Sequence, residues 1–506
     1  MRDVNTVANP ASPIRYSRQR PAEELAVVHM VAEYWPYART GGLAEAVRGI
    51  ATFQAASGTP VTVFMPLYRS VRDAHPDLEL AREPFHVQIG ERLEEARIYQ
   101  PAGPRQNPRV LFIDHAGYFD RSGIYGEGGG DYPDNPLRFA FYNLAALQVL
   151  HELLNVPVVV HAHDWHAALA AVFLRTRFSG IDVYDRMAAI LSVHNAGYQG
   201  LFEPDVLEQI GLAPDLFHWR WLEYYGQVNF LKGGLVFSDY ATTVSPTHAH
   251  ELRTKAGGFG LHHNFIELQD QFIGIRNGID VDVWNPSTDT EIVATYSADD
   301  LAGKRRCKEA LQATCGLPVD ARIPLFGMTA RLVGQKGIDL LIDDDVLEES
   351  EGQFIFLGEG EARYERALRE IAARHPHRII VDTNFSEPKE HVLLAGADLL
   401  LMPSLYEPCG LTQMRAQRYG TIPVARRVGG LADTIEDQVT GFLFDEFSTE
   451  ELKLAMSRAT SLFSQGPATW EEHVVEAMQR DFGWAASADR YLDVYRRALA
   501  NHVTNN

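Results

Sequence analysis

Ala26-Val27-Val28-His29-Met30-Val31, Arg39-Thr40-Gly41-Gly42-Leu43 and Val61-Thr62-Val63-Phe64-Met65 follow one another near the start of the chain. The first and third runs are short, apolar and β-branched, the pattern of strands buried on both faces. Between them the glycine turn leads into a helical pattern over about 44–57. Strand, turn, helix, strand is a βαβ unit. Similar apolar runs recur at 110–113, 156–160, 188–193 and 241–244, separated by helical patterns or loops. That alternation predicts a parallel sheet covered on both faces. The stretch 118–135 is rich in Gly, Asp, Pro and Tyr and reads as a long surface loop of the kind that often carries function.

A second series follows Ile279-Asp280-Val281-Asp282-Val283-Trp284-Asn285-Pro286, with strands expected at 325–329, 353–357, 379–381, 399–402 and 423–425. The fold class expected is therefore α/β, two Rossmann-like doubly wound domains. The expected division is a flexible extension over 1–24, a first domain over 25–278, a second over 279–480 and a last helical segment over 481–506. Doubly wound sheets bind ligands at the carboxyl ends of their strands. If those ends face each other, the site is the cleft between the domains.

The chain has 506 residues, 46 Lys+Arg against 67 Asp+Glu and a formal net charge of −21. That sign argues against a partner gripped through nucleic-acid phosphates, and an anionic membrane surface would repel it. No apolar run reaches the roughly 18–20 residues of a membrane span. The polar start, with Arg2, Arg15, Arg18 and Arg20, is not a secretory signal. Three cysteines, Cys307, Cys315 and Cys409, stand in no metal or redox spacing. A cytoplasmic location is expected.

The strand ends carry the chemistry. Arg331-Leu332-Val333-Gly334-Gln335-Lys336-Gly337 follows the strand at 325–329 and precedes a helix expected over 338–347. Two cations five residues apart, one at a helix N-terminus, suit a bound diphosphate; the plain alternative is two solvated surface cations. Pro403-Ser404-Leu405-Tyr406-Glu407-Pro408-Cys409-Gly410-Leu411-Thr412 follows the strand at 399–402. There Gly410 permits close approach, and the N–H groups of Leu411 and Thr412 can cradle phosphate. Glu407 would repel that phosphate and is expected to face sugar hydroxyls. Cys409 reads as a packed cysteine. In the turn after the first strand, Gly41 and Gly42 let the backbone approach a ligand, and Arg39 can bond phosphate in bidentate fashion. His161-Ala162-His163-Asp164-Trp165-His166 suggests zinc only superficially, since no Cys or Glu stands at ligand spacing. His194-Asn195-Ala196-Gly197-Tyr198-Gln199-Gly200 places a histidine either at a core edge or beside a sugar.

These stretches, together with Asn277-Gly278-Ile279-Asp280, Trp284-Asn285-Pro286 and Val428-Gly429-Gly430-Leu431-Ala432-Asp433-Thr434, resemble the glycogen and starch synthases of glycosyltransferase family 5 over about 25–499. The resemblance implies a GT-B fold whose last helix crosses back to the first domain. It implies transfer of glucose, with retention, from ADP-glucose or UDP-glucose to the non-reducing 4-hydroxyl of an α-1,4-glucan. It implies no metal and no cofactor, and leaves the oligomeric state open. By similarity, Arg331 and Lys336 hold the donor phosphates and Glu407 fixes the donor sugar. Asp164, His194, Asn195 and Asn277 line the sugar and acceptor pocket, with Tyr125 joining them and Glu33 touching the glucan. Phe385 is the aromatic expected against the donor base, where the family often has Tyr. The family's turn usually reads Lys-Thr-Gly-Gly-Leu-Ala-Asp; here Arg39 and Glu45 stand for the Lys and Asp, and a planar fork is not a point charge. The alternative is a related glucosyltransferase using another nucleotide-sugar donor or a small acceptor; an epimerase or a glucan phosphorylase would also share the two-sheet architecture. The latter would need a lysine poised for pyridoxal phosphate and a much longer chain.

Overall fold

The computed structural model describes residues 25–153, 158–343 and 346–504. The extension expected over 1–24 and the start of the strand expected at 156–160 lie outside the described residues.

Two sheets organise the chain. From one edge the first runs Phe272–Gly274, Tyr240–Thr243, Ala188–Val193, Val158–His163, Ala26–Met30, Val61–Pro66 and Arg109–Asp114, all parallel, then antiparallel through Arg92–Gln100 and Glu79–Leu80. The second runs Ile379–Asp382, Gln353–Leu357, Leu325–Thr329, Leu399–Met402, Ile422–Arg426 and Phe442–Phe444, parallel throughout. Numbered within itself, this sheet has the order 3-2-1-4-5-6 of a Rossmann domain. In both sheets the first strand has its successor on one side and the fourth parallel strand on the other. That reversal opens a crevice at the strands' carboxyl ends. In the first sheet it lies between Ala26–Met30 and Val158–His163, where Met30 pairs with Ala162. In the second it lies between Leu325–Thr329 and Leu399–Met402, where Gly327 pairs with Leu400. Buried apolar strands at these positions follow from their composition: every side chain of both central strands is buried.

The structure adds the parallel edge strands Phe272–Gly274 and Phe442–Phe444 to those expected, and departs from the sequence reading in two further places. The antiparallel edge formed by Phe85–Ile89 and Arg92–Gln100 was not expected. Its strands alternate buried and exposed residues instead of running continuously apolar, because one of their faces meets water. The helix expected over 338–347 is broken. A 3₁₀ turn at Gly334–Lys336 leads to Ile338–Ile342, Asp343 is extended, and a separate turn follows at Val346–Glu349. Asp343 puts a carboxylate at the negative end of the Ile338–Ile342 helix dipole, which disfavours continuation.

The final helix, Ala485–Thr504, packs Tyr491, Val494, Tyr495 and Ala498 against Val27, Ala46, Ile50 and Ile190 of the first domain. The chain thus passes between domains twice, and the two passes lie side by side: Ile279 N–H donates to the Phe482 carbonyl at 2.8 Å. Trp484 fills the crossing point. A Cβ on Gly49 would stand 2.1 Å from its Nε1, and one on Gly278 2.9 Å from its Cγ. Only glycine lets the first helix and the first pass approach the indole so closely. Among the described residues, no helix is long and apolar enough to cross a membrane. The three cysteines are free, Cys307 and Cys409 buried.

Candidate active site

The loops leaving the two crevices meet across the domain boundary. On the second domain, Lys336 Nζ donates to Glu407 Oε2 at 2.6 Å, and Ser404 Oγ donates to the same oxygen at 3.0 Å. The backbone holds this pair. Leu405 N–H donates to Gln335 O at 2.8 Å, and Gly430 N–H to Glu407 O at 3.0 Å. Gly337 has φ +74°, and a Cβ there would lie 1.9 Å from Pro403 O, so glycine is required where the two loops touch. Arg331 is exposed on the same loop; its carbonyl accepts from Val333 N–H at 2.9 Å, and its guanidinium makes no hydrogen bond or ion pair among the described residues.

Gly410, at φ +70°, turns the chain into the helix Thr412–Arg418. The N–H groups of Leu411 and Thr412 have no acceptor among the described residues. Gly42 of the first domain lies against the Leu411 side chain: a Cβ on it would be 3.7 Å from Leu411 Cδ1. Cys409 lies beneath, its thiol pushed up to about 12 by burial, with the Asn277 backbone N–H bonded to it. Asn277 therefore stands at the domain crossing directly behind this loop.

On the first domain, Asp164 opens the helix Asp164–Arg175 with φ +57°, a conformation that costs a non-glycine residue about 1 kcal/mol or more. The strain aims its carboxylate at the next strand end, where it accepts from His194 N–H at 2.7 Å and Asn195 N–H at 3.4 Å. Burial raises the Asp164 carboxyl to about 7, against the pull of those two bonds. The glycine turn has an internal anion of its own. Buried Glu33 accepts from the N–H groups of Thr40 and Gly41, from Thr40 Oγ1 at 2.7 Å and from Tyr125 OH at 2.5 Å. Tyr125 stacks on His166, ring centroids 4.5 Å apart. Buried Arg138 pins the loop bearing Tyr125 by donating to the carbonyls of Tyr118 and Ile124 and to Asn135 Oδ1.

Tyr406 joins the halves. Its ring meets Phe259 of the first domain edge-on at 5.1 Å, and Asn195 hydrogen-bonds its hydroxyl. The sequence alone does not single out Tyr406, because nothing in a strand-end loop marks one of its residues as crossing to another domain. Arg39 is placed differently from the expectation of a free phosphate ligand. It donates to Glu45 at 2.7 Å and to Glu387 of the second domain at 3.0 Å, with its guanidinium 4.6 Å over Trp35. Glu45 in turn contacts Arg415, which lies 4.1 Å over Trp284 and 3.4 Å from Glu390. Phe385 is half-buried just past the strand Ile379–Asp382, packed against the cluster that includes Leu311, Ile355 and Leu357.

His29, His161 and His163 lie close enough for their ring nitrogens to share an ion. Each of those nitrogens already has a hydrogen-bond partner: His29 with His163 and Gln54, His161 with Tyr495 and Ser192, His163 with His29 and His194. No carboxylate is in the group to offset a buried dication. The donor set fits a hydrogen-bonded chain better than a metal site.

The comparisons agree with this geometry. Residues 26–267 match the family model described as starch synthase catalytic domain, and 317–462 that of glycosyl transferases group 1. A glycogen synthase of Syntrophotalea carbinolica is 40% identical over 478 residues, covering 93% of this chain and 98% of the relative. The chain belongs to the glycogen and starch synthase family. It is a glycosyltransferase of the GT-B fold, acting in glucosyl transfer for glycogen or starch synthesis. A glycogen synthase of Thermodesulfovibrio yellowstonii is 38% identical, covering 92% of this chain and 96% of the relative. Among solved structures, the catalytic domain of starch synthase IV from Arabidopsis thaliana, bound to ADP and acarbose, superposes with TM-score 0.86 at 33% identity, covering 94% of this chain and 99% of that one. A sucrose-phosphate synthase from Thermosynechococcus elongatus shares the fold alone, with TM-score 0.59 at 18% identity. Family membership fits the position of the crevices: the matched segments contain both sets of strand-end loops.

Proposed function

We propose that the chain transfers glucose from ADP-glucose to the non-reducing 4-hydroxyl of an α-1,4-glucan with retention of configuration. The observation that carries this reading is the Lys336–Glu407 pair, with Glu407 on the same loop as the unbonded N–H groups of Leu411 and Thr412, and with Gly42 of the other domain against the Leu411 side chain. An ammonium has three N–H donors, so Lys336 can hold Glu407 and a phosphate oxygen together. Arg331, unpaired among the described residues, adds a second cation. As the glucosyl C1–O bond breaks, charge grows on the departing diphosphate, and preorganised cations and amides stabilise it. Glu407, its charge offset by Lys336, is free to accept from sugar hydroxyls. The acceptor oxygen bonds C1 from the face the phosphate leaves, and its proton passes to the departing phosphate oxygen. No enzyme nucleophile and no metal take part in this scheme. Asp164 holds the His194–Asn195 backbone that walls the sugar pocket. ADP in the related starch synthase structure supports adenosine as the base.

A donor panel tests the reading. ADP-glucose and UDP-glucose are each supplied with glycogen, and nucleotide release and glucan growth are followed. Faster growth with ADP-glucose, and an α-linked product, are expected. A preference for UDP-glucose would overturn the donor assignment, and nucleotide release without polymer growth would overturn the acceptor.

A further inference from the structure

Behind the sugar pocket runs a line of buried side chains that the transfer scheme does not use. Tyr495, on the final helix, receives a hydrogen bond from Gln54 Nε2 at 3.1 Å. Gln54 Oε1 faces His29 Nε2 at 2.9 Å. His29 Nδ1 faces His163 Nε2 at 3.0 Å, and His163 Nδ1 faces His194 Nε2 at 3.0 Å. Tyr495 OH also meets His161 Nδ1 at 2.7 Å, and His161 Nε2 meets Ser192 Oγ at 2.6 Å. Gln54, His29, His161 and Tyr495 are fully buried, and His163 nearly so. His194 is the one ring of the line that is partly exposed, and its Nδ1 has no hydrogen-bond partner among the described residues.

We propose that Gln54 and Tyr495 are positioning residues that decide which ring nitrogen of His194 carries its proton. A neutral imidazole has one donor and one acceptor nitrogen, so a chain of them points in one direction. Burial keeps these rings neutral, holding His29 down at about 4 and His161 and His163 well below the usual histidine range. With the Gln54 oxygen toward His29, His29 must donate from Nε2 and accept at Nδ1. His163 then donates from Nε2 and accepts at Nδ1. His194 does the same, and its Nδ1 is left as a lone pair at the cleft, an acceptor for a sugar hydroxyl. Turning the one amide over would reverse every link and leave an N–H there instead. Tyr495 holds the amide by accepting from its nitrogen while giving its own proton to His161. The final helix, by crossing back, thereby completes the chain that prepares the pocket. The catalytic consequence rests on the glucosyltransferase reading; the tautomer itself does not.

The test uses the full chain labelled with ¹⁵N-histidine, without substrate, with His194 identified by its loss in His194→Gln. Two-bond ring correlations should show a protonated Nε2 and a pyridine-like Nδ1 at His194. Gln54→Met and Tyr495→Phe should each replace that pattern with averaged or doubled signals, although neither side chain touches His194. Each should lower kcat roughly tenfold with donor KM within about twofold, a loss of positioning more than of binding. The double variant should be no worse than the singles, since both break one chain. A protonated Nδ1 in the wild type, an unchanged His194 signature in both variants, or additive losses in kcat would overturn the proposal. Where Gln54→Met does not fold, Tyr495→Phe, which keeps the ring, gives the same readouts. A clean tautomer result without glucosyl transfer would refute the functional reading and leave this one standing.

Discussion

Glu407 and Lys336 differ in how deeply they sit, and that difference predicts how their variants separate. The Glu407 side chain is 7% exposed and that of Lys336 20%. Lys336→Ala strands a buried carboxylate, at about 3 kcal/mol. Glu407→Ala frees a cation that can reach water, at about 1 kcal/mol. Both should lower kcat by roughly 10²–10³, the scale of losing one stabiliser of developing charge. Calorimetric melting and turnover together check this; a Glu407→Ala enzyme with wild-type turnover would remove Glu407 from the site. The buried histidines make a second prediction. Folded His29 takes a proton only near pH 4 and His194 near 3, with His161, His163 and His166 also far below 6.5. The unfolded chain protonates them near 6.5, so between about 6.5 and 4 it binds more protons than the native state. Stability is then lost as pH falls through that window, by about 2 kcal/mol at pH 5 for His29 alone. Asp164, raised to about 7, and Glu390, raised to about 8, act in the opposite sense, as do Asp114 and Asp398, whose carboxyls burial also raises; these four stand against five histidines. The melting temperature should fall from pH 7 to pH 5; a flat profile would contradict the neutral chain. At this scale the strand-end residue types were legible in the sequence, because charge beside glycine after an apolar run has few uses. The occupation of the Gly41 turn by Glu33 and the ion pairs of Arg39 were not, since their partners lie 8 and 348 residues away.

Among elements, the loops at 331–337 and 403–410 work as one piece because Gly337 lets them touch. Gly337→Ala would need about 1–2 kcal/mol for φ +74° and would push Pro403 aside. It should therefore move Lys336 away from Glu407 and lower turnover by more than it lowers the melting temperature. Equal losses in both would show the contact to be structural only. Most central strands of both sheets were readable to within a residue, because continuous apolar runs bounded by turns leave little choice. The strand expected at 156–160 runs on to His163, past the apolar run, because its polar end is buried against the neighbouring strands. The edge pair Phe85–Ile89 and Arg92–Gln100 was not, because half of its residues are polar and its pairing partner is set by the whole sheet.

In the whole molecule, the domains meet through bonds distributed across the cleft. Thr247 donates to Asp433, Ser245 to the Pro408 carbonyl and Gly429 to Glu251, alongside the Arg39–Glu387 and Glu45–Arg415 pairs. Arg39 and Glu45 are the two positions where the turn departs from the family's usual Lys and Asp, and both belong to this network. The fold and cleft were legible from strand order and glycine turns, whereas this interface required the two domains to be seen together. The proposed transfer requires one diphosphate to be neutralised between Arg331, Lys336 and the amides of Leu411 and Thr412. Calorimetric titration of ADP into the wild type, Arg331→Ala and Lys336→Ala measures this. One ADP should bind per chain, with affinity reduced about tenfold or more in each variant. Equal ADP affinity in all three proteins would contradict it.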